Sequence, residues 1–236
     1  MSRAMAGRAA LTLSLALLAG CAPTPPPPLV GASEEQRLCR NGTGQHGGYF
    51  YTFWHDTGDT CIRLGEGGSF ALDWDLVGTR GNMVSGKGWR TGTLDRVVGY
   101  HASRFDPGTN GYLTLYGWSR GPLVEYYVVD NWGSQFTPPG PGAEVLGTVE
   151  SDGGTYRIYR TVRVQQPSIE GTQTFAQFWS VRTERRPVGQ DARITFANHV
   201  AAWRAAGLEL GRMDYQVMAA EGFGSRGSAS VRVWGE

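Results

Sequence analysis

The sequence predicts an all-β domain, a two-sheet sandwich carrying a single short helix. Three observations point there. Glycine supplies 35 of 236 residues, about twice the ~7% share of an average protein. Eight Trp, ten Tyr and nine Phe accompany it, a mixture suited to tight turns and ring-bearing strands. Short strand patterns also recur along the chain, separated by turn signals such as Asn110-Gly111, Asp152-Gly153-Gly154 and Pro138-Pro139-Gly140-Pro141-Gly142.

In chain order, residues 48–56 alternate aromatic and polar side chains, and 69–74 do likewise. Residues 112–118 and 124–132 are aromatic-rich strands, followed by strands at 156–164, 174–182, 190–196, 215–223 and 228–234. One segment breaks the pattern. Asn198-His199-Val200-Ala201-Ala202-Trp203-Arg204-Ala205-Ala206 reads as a helix stopped by Gly207. Its short apolar face, Val200 and Trp203, must pack on a sheet, and one helix among many strands favours a sandwich.

The amino terminus reads as an address. Arg3 and Arg8 precede the apolar stretch 11–18, which is short for a bilayer span. Leu18-Ala19-Gly20-Cys21 resembles the bacterial lipobox, in which the cysteine is acylated and the chain is cut before it. The alternative is an ordinary secretory signal cut nearby. Residues 1–20 are thus expected to be a lipoprotein signal peptide, and 21–36, with Pro25-Pro26-Pro27-Pro28, a stiff tether. Residues 37–236 remain as one domain with room for a sizeable core. Acylation at Cys21 would make the protein a membrane-anchored lipoprotein at the outer membrane or cell surface. Without it the protein would be secreted.

Formal charge is +1, and removing Arg3 and Arg8 leaves 20 basic against 21 acidic residues, or −1. No basic surplus points to nucleic acid. A neutral, ring-rich surface suits sugars, whose C–H faces stack on aromatic planes. With Cys21 lipidated, Cys39 and Cys61 remain, an even pair that suggests a disulfide in an exported protein, two unpaired thiols being the alternative. His46, His55 and His101 lack metal-ligand spacing, and neither a metal nor a cofactor is expected.

Two glutamates stand out. Glu125 lies in Val124-Glu125-Tyr126-Tyr127-Val128-Val129, and Glu221 in Val217-Met218-Ala219-Ala220-Glu221-Gly222-Phe223. A carboxylate within such a strand is costly unless paired or used. Alternation puts Glu125, Tyr127 and Val129 on one face, and Tyr215, Val217, Ala219, Glu221 and Phe223 on one face. Alone, either glutamate reads first as a satisfied structural carboxylate. Together on ring-lined faces they suggest two-carboxylate glycoside hydrolysis.

Longer motifs carry a resemblance. Gly111-Tyr112-Leu113-Thr114-Leu115-Tyr116-Gly117-Trp118, then Pro122-Leu123-Val124-Glu125-Tyr126-Tyr127, then Gln166-Pro167-Ser168-Ile169-Glu170-Gly171-Thr172, and finally Gln216-Val217-Met218-Ala219-Ala220-Glu221-Gly222-Phe223 occur in one order. Over roughly residues 39–235 the chain resembles family 11 glycoside hydrolases, the β-jelly-roll endo-β-1,4-xylanases. The resemblance implies a jelly roll of two twisted antiparallel sheets with one short helix and a thumb hairpin over the cleft. It also implies a retaining double displacement on xylan or xylo-oligosaccharides, with Glu125 as nucleophile, Glu221 as acid/base and a carboxyl separation of ~5–5.5 Å. Non-catalytic xylan binding on the same scaffold is the alternative, and a monomer is expected.

By the same resemblance, Trp54 is a glycone-side platform and Tyr215 another glycone-side contact, while Tyr112 lies on the aglycone side. Tyr116 would touch the nucleophile, and Tyr127 would stand near the acid/base. Arg163 and Gln177 would line the cleft around the nucleophile. Pro167 and Ser168 would offer backbone contacts from the thumb. Asn82 would neighbour the acid/base and set an optimum nearer neutral. His199 would be buried, with Asp152 and Ser180 as hydrogen-bond partners. Phe178 and Phe223 stand where the family has tyrosine, removing two hydroxyls near the cleft. The connection from Trp74 to Asn82 and the segment after Trp132 look longer than usual.

Overall fold

The structure is a computed structural model that describes residues 35–236 together with Met1. Cys21, the expected signal peptide and nearly all of the expected tether lie outside the described residues.

Among the described residues, fifteen strands and one helix follow in order. They are β1 (Gln36–Leu38), β2 (Gly42–His46), β3 (Tyr49–His55), β4 (Asp59–Leu64), β5 (Ser69–Asp75), β6 (Asn82–Trp89), β7 (Val97–Asp106), β8 (Gly111–Arg120) and β9 (Val124–Trp132). Then come β10 (Val145–Ser151), β11 (Gly154–Ser168), β12 (Gly171–Arg182), β13 (Asp191–Thr195), α1 (Phe196–Ala205), β14 (Arg212–Phe223) and β15 (Arg226–Gly235). Six strands form one sheet, in the order β1-β4-β5-β15-β7-β13. Nine form the other, in the order β10-β11-β12-β9-β8-β14-β6-β3-β2. Pairing is antiparallel except between β12 and β9, which run parallel, a departure from the expected all-antiparallel sheets.

Six strands, β1, β2, β4, β6, β7 and β10, carry no clear signal in the sequence. Glycine explains β6, whose side-chain pattern is broken at Gly86 and Gly88. A Cβ at Gly86 would lie 2.0 Å from the Met218 carbonyl oxygen, so glycine lets β6 approach β14 closely.

The alternation of β9 and β14 sorts their side chains between two apolar layers. Val124, Tyr126, Val128, Met218 and Ala220 face the six-stranded sheet, meeting Leu72, Val98, Val231 and Val233 in the main core. Tyr127, Val129, Tyr215, Val217 and Ala219 face the opposite way, in a second aromatic cluster. The helix closes the main core. Phe196 and Trp203 lie 5.1 and 6.1 Å from the Tyr126 ring. Gly207 ends the helix at φ 74°, with Gly207 N–H donating to Arg204 O and Leu208 N–H to Trp203 O, the Schellman arrangement that satisfies the last carbonyls.

Among the described residues, one covalent and two polar ties stiffen the fold. Cys39 and Cys61 are joined in a disulfide. Lys87, fully buried, donates to the carbonyls of Gly65 and Gly67, tying β6 to the β4–β5 turn across the sandwich. Asp130, also fully buried, accepts hydrogen bonds from Tyr100 and Tyr156, each at 2.5 Å, and pairs with Arg186 at 2.8 Å. A buried carboxylate is tolerable only with such a set of partners.

Candidate active site

The aromatic face of the nine-stranded sheet forms the floor of a cleft of about 830 Å³. β9, β8, β14, β6 and β3 supply its floor, and the hairpin between β11 and β12 supplies a wall through Pro167, Ser168 and Ile169. Both glutamates line it. Glu125 is 8% exposed and Glu221 6% exposed, so each carboxyl is nearly withdrawn from water.

Glu125 stands on β9 between its two neighbours, with Trp118 of β8 and Gln177 of β12 as its cross-strand partners. Both oxygens are held. Tyr116 hydroxyl donates to Oε1 at 2.7 Å, and Gln177 Nε2 donates to Oε2 at 2.7 Å. Each donor is itself oriented. Trp118 Nε1 donates to the Tyr116 oxygen at 2.8 Å, and Thr161 donates to Gln177 Oε1 at 2.8 Å, which fixes the amide's sense. Burial raises the Glu125 pKa, while Gln177, Tyr116, Tyr127 and the Arg163 charge oppose the rise by favouring the carboxylate.

Glu221 has a different environment. Asn82 Nδ2 donates to its Oε1 at 3.0 Å and also to Gly222 O at 3.1 Å. Its Oε2 is buried without a hydrogen-bond partner. Burial, and next the charge of Glu125, push its pKa up to about 8, against the opposing influence of Asn82, Tyr127 and Tyr112. Burial and the Glu125 charge both favour the protonated form of Glu221, whose Oε2 is the oxygen left without a donor.

Rings floor the space around the two carboxyls. Tyr127 stacks flat on Trp179, centroids 3.9 Å apart at 6°. Tyr116 lies against both Tyr127 and Tyr215. Trp54, Tyr112, Tyr215, Arg163, Pro167, Ser168 and Gln177, each proposed from sequence, all line this one cleft. The backbone N–H of Asn82 is fixed by Asp56 Oδ1 at 2.8 Å.

Two expectations need correction. Phe178 is not near the cleft. It points from β12 into the main core, 6.1 Å from Trp203, because alternation gives the cleft face to its neighbour Gln177. Only Phe223 of the two phenylalanines lines the cleft. His199 is buried, but neither ring nitrogen reaches a hydrogen-bond partner, and neither does Ser180 Oγ. Asp152 is committed elsewhere, to Thr195 N–H at 2.7 Å and Thr195 hydroxyl at 2.8 Å. Desolvation lowers the His199 pKa to about 3, so the ring packs edge-on to Tyr156 as a neutral imidazole.

Sequence reasoning missed Trp118, Thr161, Trp179 and Phe136. Trp118 and Trp179 were within reach, since alternation sets them on the faces of Tyr116 and Gln177. Phe136 reaches the cleft from the segment after β9, where no periodicity marks it.

A two-sheet all-β fold with two buried carboxyls in a ring-floored cleft is an arrangement suited to glycoside hydrolysis. The family model for glycosyl hydrolases family 11 matches residues 46–232. This chain belongs to that family. Among similar proteins, "Endo-1,4-beta-xylanase A" of Gibberella zeae is 47% identical over 201 residues, covering 85% of this chain and 83% of that protein. "Endo-1,4-beta-xylanase 11A" of Botryotinia fuckeliana is 45% identical over 202 residues, covering 85% of each. A "Bifunctional xylanase/xylan deacetylase" of Cellvibrio japonicus is 46% identical over 200 residues, and the match covers 84% of this chain and 30% of that longer protein.

Proposed function

We propose that this chain is an endo-1,4-β-xylanase, cutting internal β-1,4 bonds of xylan through a covalent glycosyl-enzyme. The unequal protonation of two buried carboxyls in one cleft carries this reading. Glu125, held at both oxygens by Tyr116 and Gln177, is the nucleophile that attacks the anomeric carbon. Glu221 gives its proton to the departing glycosidic oxygen. Once Glu125 is esterified, its negative charge is gone. That charge is one of the two causes raising the Glu221 pKa, so its loss lets Glu221 accept a proton from the incoming water. Tyr127 and Arg163 act on the charge of Glu125. Trp54, Tyr112 and Tyr215 offer faces and hydroxyls to successive xylose units, and Pro167 and Ser168 cover them from the hairpin. The hairpin lid excludes water and aligns the chain.

Pure xylan binding without turnover is disfavoured, because binding needs rings more than a carboxyl kept protonated to about pH 8. The test is release of reducing xylo-oligosaccharides from xylan by the parent, with Glu125→Ala and Glu221→Ala as controls. Full activity in either variant would overturn the assignment.

The amino-terminal sequence supports export followed by acylation at Cys21, so that the enzyme works from a membrane surface. Incorporation of a labelled lipid precursor, lost in Cys21→Ala, is the expected result. Equal labelling of both proteins would exclude the anchor at that cysteine.

A further inference from the structure

The hairpin over the cleft has little to hold it. Its residues Gln166, Pro167 and Ser168 pair only with Gln173, Thr172 and Gly171 of the same hairpin. The pairing of β12 with β9 begins at Ala176, and that of β10 with β11 reaches no further along the hairpin than Tyr159. An isolated two-stranded ribbon is marginal in water. Its tip is well formed internally, with Ser168 hydroxyl donating to Gly171 O at 2.7 Å and accepting from Glu170 N–H at 3.0 Å.

Besides the packing of Ile169 against the aromatic cluster, one polar side chain among the described residues links this tip to the floor. Arg120, at the end of β8, donates from Nη1 to Glu170 Oε1 at 2.6 Å and from Nη2 to Ile169 O at 3.5 Å. Its Nε donates to Asp214 Oδ2 at 2.7 Å, which aims the guanidinium. Asp214 is anchored in turn, since its Oδ1 accepts from Tyr215 N–H at 2.9 Å and its carbonyl from Gly92 N–H at 2.6 Å. Among the described residues, every other hydrogen bond of the tip side chains stays within the hairpin. Asp214 adjoins Tyr215, and Glu170 and Ile169 follow Pro167 and Ser168. The ion pair therefore bridges the wall and the floor beside the residues that line the cleft.

We propose that Arg120 is a positioning residue for catalysis, latching the hairpin over the cleft through Glu170, so that substrate affinity depends on an exposed ion pair. This rests on the xylanase reading of the cleft. The wide, planar guanidinium reaches the Asp214 carboxylate, the Glu170 carboxylate and the Ile169 carbonyl from three separate nitrogens. Arg120 and Glu170 are 30% and 38% exposed, so salt screens the latch, and its strength falls as ionic strength rises.

The experiment compares the parent with Glu170→Gln and Glu170→Lys, both at an exposed site that should not disturb folding. In Glu170→Gln, KM for xylan should rise about two- to fivefold with kcat unchanged, the range expected of an exposed pair. Between ~0.05 and ~0.5 M NaCl, KM of the parent should rise while that of Glu170→Gln stays flat. In Glu170→Lys, repulsion from Arg120 should open the hairpin at low salt, so KM should fall as salt is added. A merely structural role would not invert that dependence. Backbone hydrogen exchange of peptides spanning 164–175 gives an arm independent of turnover, and exchange should quicken in Glu170→Gln. Parental KM, salt response and exchange in both variants would overturn the latch. A parent inactive on xylan, with exchange still altered, would overturn the xylanase reading and leave the latch standing.

Discussion

Asn82 Nδ2 donates a hydrogen bond to Glu221 Oε1 at 3.0 Å across 139 residues of chain. The neutral amide offers a proton without adding charge, and its other contact, the Gly222 carbonyl, fixes which end faces Glu221. In Asn82→Asp this donor exists only while the aspartate is protonated. The new carboxyl then competes with Glu221 for the proton, and the two titrate as a coupled pair. The alkaline limb of the kcat/KM profile should therefore move acidward in Asn82→Asp. An unmoved profile would count against control of the proton from this position.

The parent enzyme should lose kcat/KM on the alkaline side as Glu221 deprotonates near pH 8. Glu221→Ala removes the acid but leaves the nucleophile with both its donors. Its activity on xylan should fall about 10²–10⁴-fold. An aryl xylobioside, whose leaving group departs without protonation, should still give a stoichiometric burst of phenol. Glu125→Ala should give no burst. A burst from Glu125→Ala would reverse the assigned roles.

Glu221 also makes stability depend on pH. Its folded pKa of about 8 lies above the ordinary 4.5, so the folded state holds a proton that the unfolded state has lost. Its contribution to stability is therefore lost progressively as pH rises from about 4.5 to about 8. Glu221→Gln removes that loss. The Tm of the variant should exceed the parent's by a margin that widens over this interval, measured by calorimetry at several pH values. A margin that narrows with rising pH would contradict the assigned shift.

Asp130 should be critical to the fold rather than to the chemistry. Replacing it by Ala leaves Arg186 and the hydroxyls of Tyr100 and Tyr156 without their shared acceptor. The expected cost is about 3–5 kcal/mol in urea unfolding. A loss under 1 kcal/mol would show that water satisfies the orphaned groups.

The Cys39–Cys61 bridge closes a loop with a sequence separation of 22. Chain-entropy arguments give about 3 kcal/mol for such a loop. The double variant Cys39→Ser/Cys61→Ser should lose about that much stability and keep its kcat, because neither cysteine lines the cleft or touches either glutamate. A changed kcat in the folded double variant would contradict that separation.

Local chemistry makes part of this protein readable from its chain. Period-two alternation assigns Glu125 and Tyr127 to one face of a strand, and Tyr215 and Glu221 to one face of another, without knowledge of any neighbour. Gly207 stops the helix because a left-handed residue is needed there. The motifs around the two glutamates supplied the candidate pair and the family. What lies beyond each strand depends on sheet order and register, which link segments far apart. Gln177 reaches Glu125 across 52 residues because β12 runs parallel to β9. The same pairing leaves Phe178 in the core, and the commitment of Asp152 to Thr195 leaves His199 unbonded. The protonation of Glu221 belongs to this second kind of fact. It arises from burial and from the charge of a residue on another strand, and neither exists before the sheets have packed.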